Sequence, residues 1–319
     1  MPVRYRAPAS QPDIEFPLVL NTGRIRGQWH SMTRTGLAPR LGGHLPEPYI
    51  SVNPNDAGRC QLLDGALADV ASRQGRIRVR VQLSDQIATG QVFVPMHWTD
   101  IHASRARVAS LVAEHCDPDS GQPENKYTPV KITPWWAKSE ALLVSREPLA
   151  DPATDYWAMR RVNGGYLYRL ASALAPSELD AHLQTLAGQS EQQLAFGQPE
   201  KGAFRRALSR QGRLHLAYSL AGCLAGADWH WLGDLLDGDF AANAMRALLR
   251  GVPDAAHSGG KQVCACKQVG YNTLCKAVRE QGADSVEALS RATQAGTGCG
   301  SCLPELERII ARERADAAA

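Results

Sequence analysis

VCAC (263–266) and AGTGCGSCLPEL (295–306) place Cys264, Cys266, Cys299 and Cys302 in two close pairs, C-x-C and C-x-x-C, at either end of a long spacer. Two close pairs need only one long loop closed to bring four thiolates together. Four converging thiolates are what a [2Fe-2S] core demands. The spacer supplies that closure with two expected helices. Asn272 or Thr273 can start the first, with Leu274 and Val278 on one face, and Asp284 with Glu287 three residues later gives a capping-box-like start to the second.

The residues around the pairs suit an anion. An oxidised cluster with four thiolates and two sulfides is a net dianion, so it needs donors nearby. Gly296, Gly298 and Gly300 allow left-handed backbone and let amides approach sulfur, forming an anion-binding nest. Pro304 suits a first helical turn, so a helix over 304–312 starts beside Cys302 with the positive end of its dipole toward the cluster, and Lys267 adds charge. A structural zinc site with four cysteine ligands also uses two close pairs and stays open as the alternative, although C-x-C opposite C-G-S-C is unusual for zinc. Cys275 falls on the first spacer helix, away from both pairs, and reads as a non-ligand. Residues 263–310 resemble the bacterioferritin-associated-ferredoxin type of [2Fe-2S] domain.

The rest of the chain bounds the class. Of eight cysteines, Cys60, Cys116 and Cys223 stand alone and read as reduced structural residues. The chain has 319 residues, enough for more than one domain, and its 44% apolar and 21% charged residues are ordinary for a globular protein. A net charge of +3, without basic residues interleaved with aromatics, argues against nucleic acid. No apolar run approaches a membrane span, and MPVRYRAPASQPD (1–13) lacks the apolar core of a signal peptide, so a cytoplasmic location is expected.

Upstream, the organisation reads as a multidomain α+β chain. Residues 1–15 form an irregular lead-in. Residues 16–145 look mostly β: FPLVLNTG (16–23), EPYISVNP (47–54) and QVFVPMHW (91–98) are strands, and ADVASRQGRIRVRVQL (68–83) is a hairpin. In that hairpin Ile77, Val79 and Val81 point inward while Arg76, Arg78 and Arg80 form a wet face. A compact barrel suits the pattern. Residues 146–258 read as a mostly helical connecting region, from LDAHLQTLA (179–187) and FAANAMRALLRG (240–251), with GRLHLAYSLAG (212–222) open between strand and helix. The aromatics of DWHWLGDLL (228–236) read as core, and AAHSGG (255–260) as a linker into a small helical cysteine domain over 259–313.

The loop NTGRIRGQWHSMTRTG (21–36) carries Arg24, Arg26, His30 and Arg34 among Gly, Ser and Thr. Arginine matches phosphate bidentately, and the small residues let backbone and hydroxyl donors reach oxyanions. A basic surface loop is the alternative, since no Walker or Rossmann glycine pattern is present. FPLVLNTGRIRGQWHSMTRTG, PYISVNPNDA, GQVFVPMHW and DPDSGQPENK occur in an order that resembles the C-terminal dinucleotide-binding domain of bacterial molybdopterin oxidoreductases, over about residues 12–140. With the middle region and the cysteine domain, the arrangement is similar to the C-terminal part of a bacterial assimilatory nitrate reductase.

That resemblance implies a double-psi β-barrel holding a molybdopterin guanine dinucleotide with molybdenum. The family's T-G-R-x-x-x-x-W-H-[ST] loop falls on Thr22, Gly23, Arg24, Trp29, His30 and Ser31, and its later lysine on Lys126; His97 and Trp98 are expected nearby. Ala109 stands at a usual Asn position. The resemblance also implies that a [4Fe-4S] cluster and the catalytic residues belong to an N-terminal portion absent from this sequence, so no catalytic residue is assigned. Expected partners are that portion and a flavin reductase or ferredoxin as electron donor. A stand-alone [2Fe-2S] carrier and a zinc-stabilised interaction module are the competing readings.

Overall fold

A computed structural model describes residues 5–224, 230–236, 247–248, 250–251 and 259–318. The first body is a closed six-stranded barrel of β1 (Leu18–Gly23), β2 (Tyr49–Val52), β3 (Leu67–Ala71), β4 (Arg76–Leu83), β5 (Gln91–Pro95) and β6 (Thr128–Trp135), in the order β1-β5-β2-β4-β3-β6. The β1/β5 and β2/β4 pairs are parallel and the remaining pairs antiparallel. Alternation explains the closure. Leu18, Leu20, Ile50, Val52, Val70, Ile77, Val79, Val81, Val92, Val94, Val130 and Ile132 share one apolar core. Helix α1 (Pro54–Arg59) leaves β2 with Pro54 in its first turn and the Asn53 side chain accepting from the Asn55 amide at 2.9 Å.

The middle region corrects the sequence reading: it is built on a sheet and is not mostly helical. Strands β7 (Ser139–Ser145), β8 (Tyr156–Val162), β9 (Gly165–Ser172), β10 (Gln192–Phe196), β11 (Phe204–Arg210) and β12 (Arg213–Ala221) form an antiparallel sheet in the order β10-β11-β12-β7-β9-β8. GRLHLAYSLAG is thus largely strand. LDAHLQTLA does lie in a helix, α2 (Pro176–Ala187), where the Glu178 carboxylate accepts from the Ala175 amide at 2.8 Å. The error has a physical cause. Leu179 and Leu183 of α2 pack on one face of the sheet, while Trp231, Leu232, Leu235 and Leu236 pack on the other. A strand covered on both sides loses its alternation and looks like a buried helix in sequence. Of the other stretches read as helix, linker or core here, most of FAANAMRALLRG, residues 255–258 of AAHSGG and the start of DWHWLGDLL lie outside the described residues.

A second correction concerns Arg78 and Arg80, which point away from the barrel core yet are buried. The sheet covers them. Arg78 lies 3.9 Å from the Trp135 ring and donates from Nε to Asp69 at 2.7 Å. Arg80 enters a closed network with the sheet: its Nη1 donates to Glu140 at 2.9 Å and its Nε to Glu47 at 3.3 Å. Arg169 of β9 donates to Glu47 at 2.8 Å and to Glu140 at 3.4 Å, and the Tyr156 hydroxyl donates to Glu47 at 2.8 Å. Two arginines and two carboxylates therefore neutralise each other in the barrel–sheet seam. The exposed edge of β8 is closed as well, by hydrogen bonds between Ser104 and Trp157 and from the Met159 amide to the His102 carbonyl.

The C-terminal body has a two-stranded ribbon, β13 (Gln262–Cys264) and β14 (Val269–Gly270), then α3 (Tyr271–Gln281), α4 (Val286–Thr293) and α5 (Leu303–Ala318). Both spacer helices start off the expected caps, the first two residues before Asn272 and the second one residue after Asp284. Gly270 precedes α3, and at α4 it is Ser285, not Asp284, whose hydroxyl accepts from the Ala288 amide at 3.2 Å. Leu274, Leu289, Leu306, Ile309 and Ile310 fill the space between the three helices, with Cys275 among them.

Replacing Glu47 by Ala takes from Arg80 and Arg169 the carboxylate they share, at an expected cost of about 3–5 kcal/mol, read as a lowered urea midpoint. The pH dependence has a definite sign. Burial works against the Glu47 charge, but Arg169, Arg80 and the Tyr156 hydroxyl outweigh it and hold the carboxyl below its usual range. The stabilisation is therefore complete above the unfolded-state value of about 4.3 and is lost as pH falls toward the lower folded value. Urea midpoints measured from neutral pH downward should fall less steeply in Glu47→Ala than in the parent chain.

Candidate functional site

The barrel loop leaves β1 at one rim, where Gly23 meets the C-terminal end of β5. A Cβ at Gly23 would stand 3.1 Å from the Phe93 ring and 3.7 Å from the Lys126 Nζ, so a side chain here would crowd both. The Lys126 ammonium donates to the Thr22 carbonyl at 2.5 Å, which brings the lysine 104 residues away in sequence to the same rim. Thr22 itself is buried. Its hydroxyl proton is spent on the Val94 carbonyl at 2.8 Å, so the Thr22 side chain ties β1 to β5 instead of donating at the rim as the sequence suggested.

Beyond Gly23 the chain folds into a compact turn. The Arg24 guanidinium lies 4.3 Å from the centroid of the exposed Trp29 ring, and Trp29 meets the His30 ring edge-on at 4.7 Å. Ser31 is half-buried beside them. His30 and Met32 both take positive φ, 43° and 59°, a strained conformation for residues with side chains. What holds it is His97. The buried His97 ring donates from Nδ1 to the His30 carbonyl at 2.6 Å and accepts at Nε2 from the Ile25 amide at 3.0 Å. These two bonds require the neutral ring, and burial, assisted by the nearby Arg24 charge, lowers its pKa accordingly. Trp98 turns the other way into a core with Met32, Ala103 and Tyr156. Ala109 is exposed in the short turn Val108–Leu111.

The four cysteines converge. Cys264 Sγ is 3.7 Å from Cys266 Sγ, Cys266 Sγ is 3.8 Å from Cys299 Sγ, and Cys302 adjoins Cys264. Cys264 and Cys302 are buried while Cys266 and Cys299 face outward, giving the site an inner and an outer edge. Cys275 lies apart, in the helical core beside Tyr271 and Glu313.

Backbone donors surround the sulfurs. Burial opposes a thiolate at Cys264, yet the amides of Gly296 and Lys267 outweigh it and lower its pKa. The Ser301 hydroxyl and amide do the same for Cys299. Burial and the neighbouring Cys264 push Cys302 up to about 11, the expected result of crowding thiols that share a site. Gly296 and Gly300 have φ of +83° and +72°, and a Cβ at Gly298 would come within 2.8 Å of the Cys266 sulfur. Helix α5 begins immediately after Cys302. The donor set, its amide cradle and its helix N-terminus all suit an anionic iron–sulfur core.

Three residues at the seam between these two sites carried little signal in sequence. Arg26 was one basic residue among several, His44 stood in no motif, and Glu305 entered only as part of the LPEL run after Cys302. In the fold Arg26 Nη1 donates to the Val263 carbonyl at 3.0 Å, and its Nη2 contacts both His44 Nε2, at 2.7 Å, and the Glu305 carboxylate.

Changing Cys264, Cys266, Cys299 or Cys302 to Ser should abolish cluster retention, whereas Cys275→Ser should leave most of it. Iron and acid-labile sulfide measured anaerobically check this, and an empty site in Cys275→Ser beside a full one in any of the four would disprove the ligand set.

Comparison with known proteins accords with both sites. Residues 18–129 match the family described as the Molydopterin dinucleotide binding domain, and residues 262–312 the BFD-like [2Fe-2S] binding domain. A nitrate reductase of Klebsiella oxytoca is 36% identical over 99% of this chain, which spans 36% of that protein's length. The assimilatory nitrate reductase catalytic subunit of Bacillus subtilis is 32% identical over 40% of the chain and 17% of its own length. The F420-dependent formate dehydrogenase subunit alpha of Methanocaldococcus jannaschii is 37% identical over 31% of the chain and 15% of its own. Residues 18–129 therefore belong to the Molydopterin dinucleotide binding domains and residues 262–312 to the BFD-like [2Fe-2S] binding domains, so that a single chain carries the binding sites for a molybdopterin dinucleotide and a [2Fe-2S] cluster.

Proposed function

We propose that this chain is the cofactor-capping and electron-input portion of a molybdenum-dependent nitrate reductase serving nitrate assimilation, with the catalytic walls supplied by a further portion. The carrying observation is that one chain, similar along 99% of its length to a nitrate reductase, packs a dinucleotide-type barrel loop against a four-cysteine site. When bound, the cluster supplies one-electron transfer and the molybdenum cofactor the centre at which nitrate gives up an oxygen atom to become nitrite.

The residues of this chain act on the cofactors' surroundings. Arg24, the backbone at Gly23 and Lys126 offer positive charge and donors to pyrophosphate oxygens at the barrel rim, and Trp29, His30 and Ser31 complete the wall of that turn. His97 keeps the turn in its strained shape. Cys264, Cys266, Cys299 and Cys302 hold the [2Fe-2S] core, with the outward edge at Cys266 and Cys299 available to a flavin reductase or ferredoxin. The reading places the protein in the cytoplasm, supported by eight cysteines none of which is in a disulfide; among the described residues no helix is long and apolar enough to cross a membrane. The barrel alone does not choose the substrate, since it is shared with a protein named as a formate dehydrogenase.

The purified 319-residue chain should reduce no nitrate with an artificial electron donor, whereas it should support reduction when co-expressed with the catalytic portion of a homologous nitrate reductase. Molybdenum-dependent turnover by the chain alone would overturn the proposal, and a retained cluster with no guanine nucleotide in the assembled complex would favour a stand-alone electron carrier.

Arg24→Ala should lower the molybdenum and guanine nucleotide content of that complex and leave the visible [2Fe-2S] spectrum unchanged. Loss of one charge-assisted hydrogen bond costs about 1.5–3 kcal/mol, roughly tenfold to a hundredfold in affinity. Arg24→Lys should recover only part of it, because an ammonium cannot reproduce the planar fork. Equal cofactor content in parent and Arg24→Ala complexes would remove Arg24 from the site.

A further inference from the structure

We infer that Arg26 is a positioning residue that docks the [2Fe-2S] domain onto the dinucleotide loop, with His44 and Glu305 completing the latch, and that it sets both the orientation and the electrostatic surroundings of the cluster. This inference does not depend on the substrate.

Arg26 lies two residues beyond Arg24 on the loop that leaves β1, 237 residues from its partner Val263. Its guanidinium divides its donors between the two sides of the cysteine site. One nitrogen bonds the carbonyl of Val263, the residue before Cys264; the other meets the carboxylate of Glu305, in the first turn of the helix that follows Cys302. A single planar fork thus spans from the first cysteine pair to the second, a task suited to arginine and beyond lysine's reach from one point charge. His44 backs the contact, with Nε2 at 2.7 Å from Arg26 and 3.2 Å from Glu305. All three side chains are largely sheltered, with 23%, 11% and 22% of the Arg26, His44 and Glu305 side chains accessible, so the ion pair is less screened than a surface pair.

The packing around the latch is close. A Cβ at Gly43 would fall 1.8 Å from the Gln262 side-chain oxygen, so the cysteine domain sits in a space that a larger residue at position 43 would have to contest. Beside it a cavity of about 460 Å³ separates the outward edge of the cysteine site, Cys266 and Cys299, from the loop residues Gly27 and Leu41. The dock therefore fixes how the cysteine domain is oriented on the loop, with Cys266 and Cys299 opening onto that cavity.

Charge gives the latch a second effect. Glu305 favours the N-terminus of its helix, but a carboxylate three residues from Cys302 adds negative charge beside a dianionic core. The Glu305 carboxylate is ion-paired with the Arg26 guanidinium, so Arg26 cancels that charge locally.

The test uses the full chain with its cluster loaded, in the parent, Arg26→Met, Glu305→Gln and Arg26→Lys. Amide hydrogen exchange should accelerate at least tenfold in segments 24–45, 259–268 and 300–312 of Arg26→Met and Glu305→Gln, and by an intermediate amount in Arg26→Lys. Exchange in the barrel hairpin 67–83 and in helices 271–293 should stay at parent values, which separates undocking from unfolding. Arg26→Met and Glu305→Gln undock alike but differ in the charge left beside Cys302, so the [2Fe-2S] midpoint potential should be lower in Arg26→Met than in Glu305→Gln. Unchanged exchange in the three docking segments of both variants, or equal midpoint potentials in the two, would overturn the inference.

Discussion

Everything on the outer side of the barrel depends on the neutral quartet of Glu47, Arg80, Glu140 and Arg169. Each charge is buried and each has a partner from the opposite body: Arg80 reaches Glu140 on the sheet, and Arg169 reaches Glu47 on the barrel. Desolvating four ions is costly, and the arrangement is tolerable only because the two arginine forks, the Tyr156 hydroxyl and the Leu224 amide meet the carboxylates together. Such a seam admits little sliding. It converts the barrel and the six-stranded sheet into a common platform, on which the loop between β1 and β2 and the cysteine domain are arranged.

The two cofactor-binding sites on that platform use backbone groups in related ways. At the barrel rim Gly23 keeps side-chain bulk away from the meeting point of β1, Phe93 and Lys126, and His97 holds a turn with two strained residues. At the cysteine site Gly296 and Gly300 supply left-handed backbone, and amides of Gly296, Lys267 and Ser301 bond the sulfurs. In both cases the fold has shaped the backbone beforehand, so little ordering would remain to be done on binding. The Arg26 fork joins the two, because the loop that serves one site also contacts the strand and helix that carry the other.

The corrections share one origin, burial by a neighbour that the local sequence does not announce. Arg78 and Arg80 alternate with Ile77, Val79 and Val81 as a wet face would, and only the sheet packed over them makes that face dry. The strands of the sheet read as helical material because α2 and residues 231–236 cover both its sides. At Thr22 the hydroxyl proton is taken by the carbonyl of Val94, its partner on the adjacent strand β5.

What the sequence determined by itself was local or motif-bound: the strands and hairpin of the barrel, whose alternation survives because their inner face is apolar, and the two thiol pairs, whose spacing leaves few chemical alternatives. The glycines near Cys299 and the helix after Cys302 were legible for the same reason, since backbone freedom and capping act within a few residues. The tertiary structure decided what depends on contacts distant along the chain: the sheet in the middle region, the buried quartet, the Lys126 reach to Thr22, and the docking of Arg26 against Val263 and Glu305. Those contacts join residues 100 or more positions apart in several instances, and no periodicity or motif encodes a partner at that separation; it is fixed only when burial forces each charge and donor to find one.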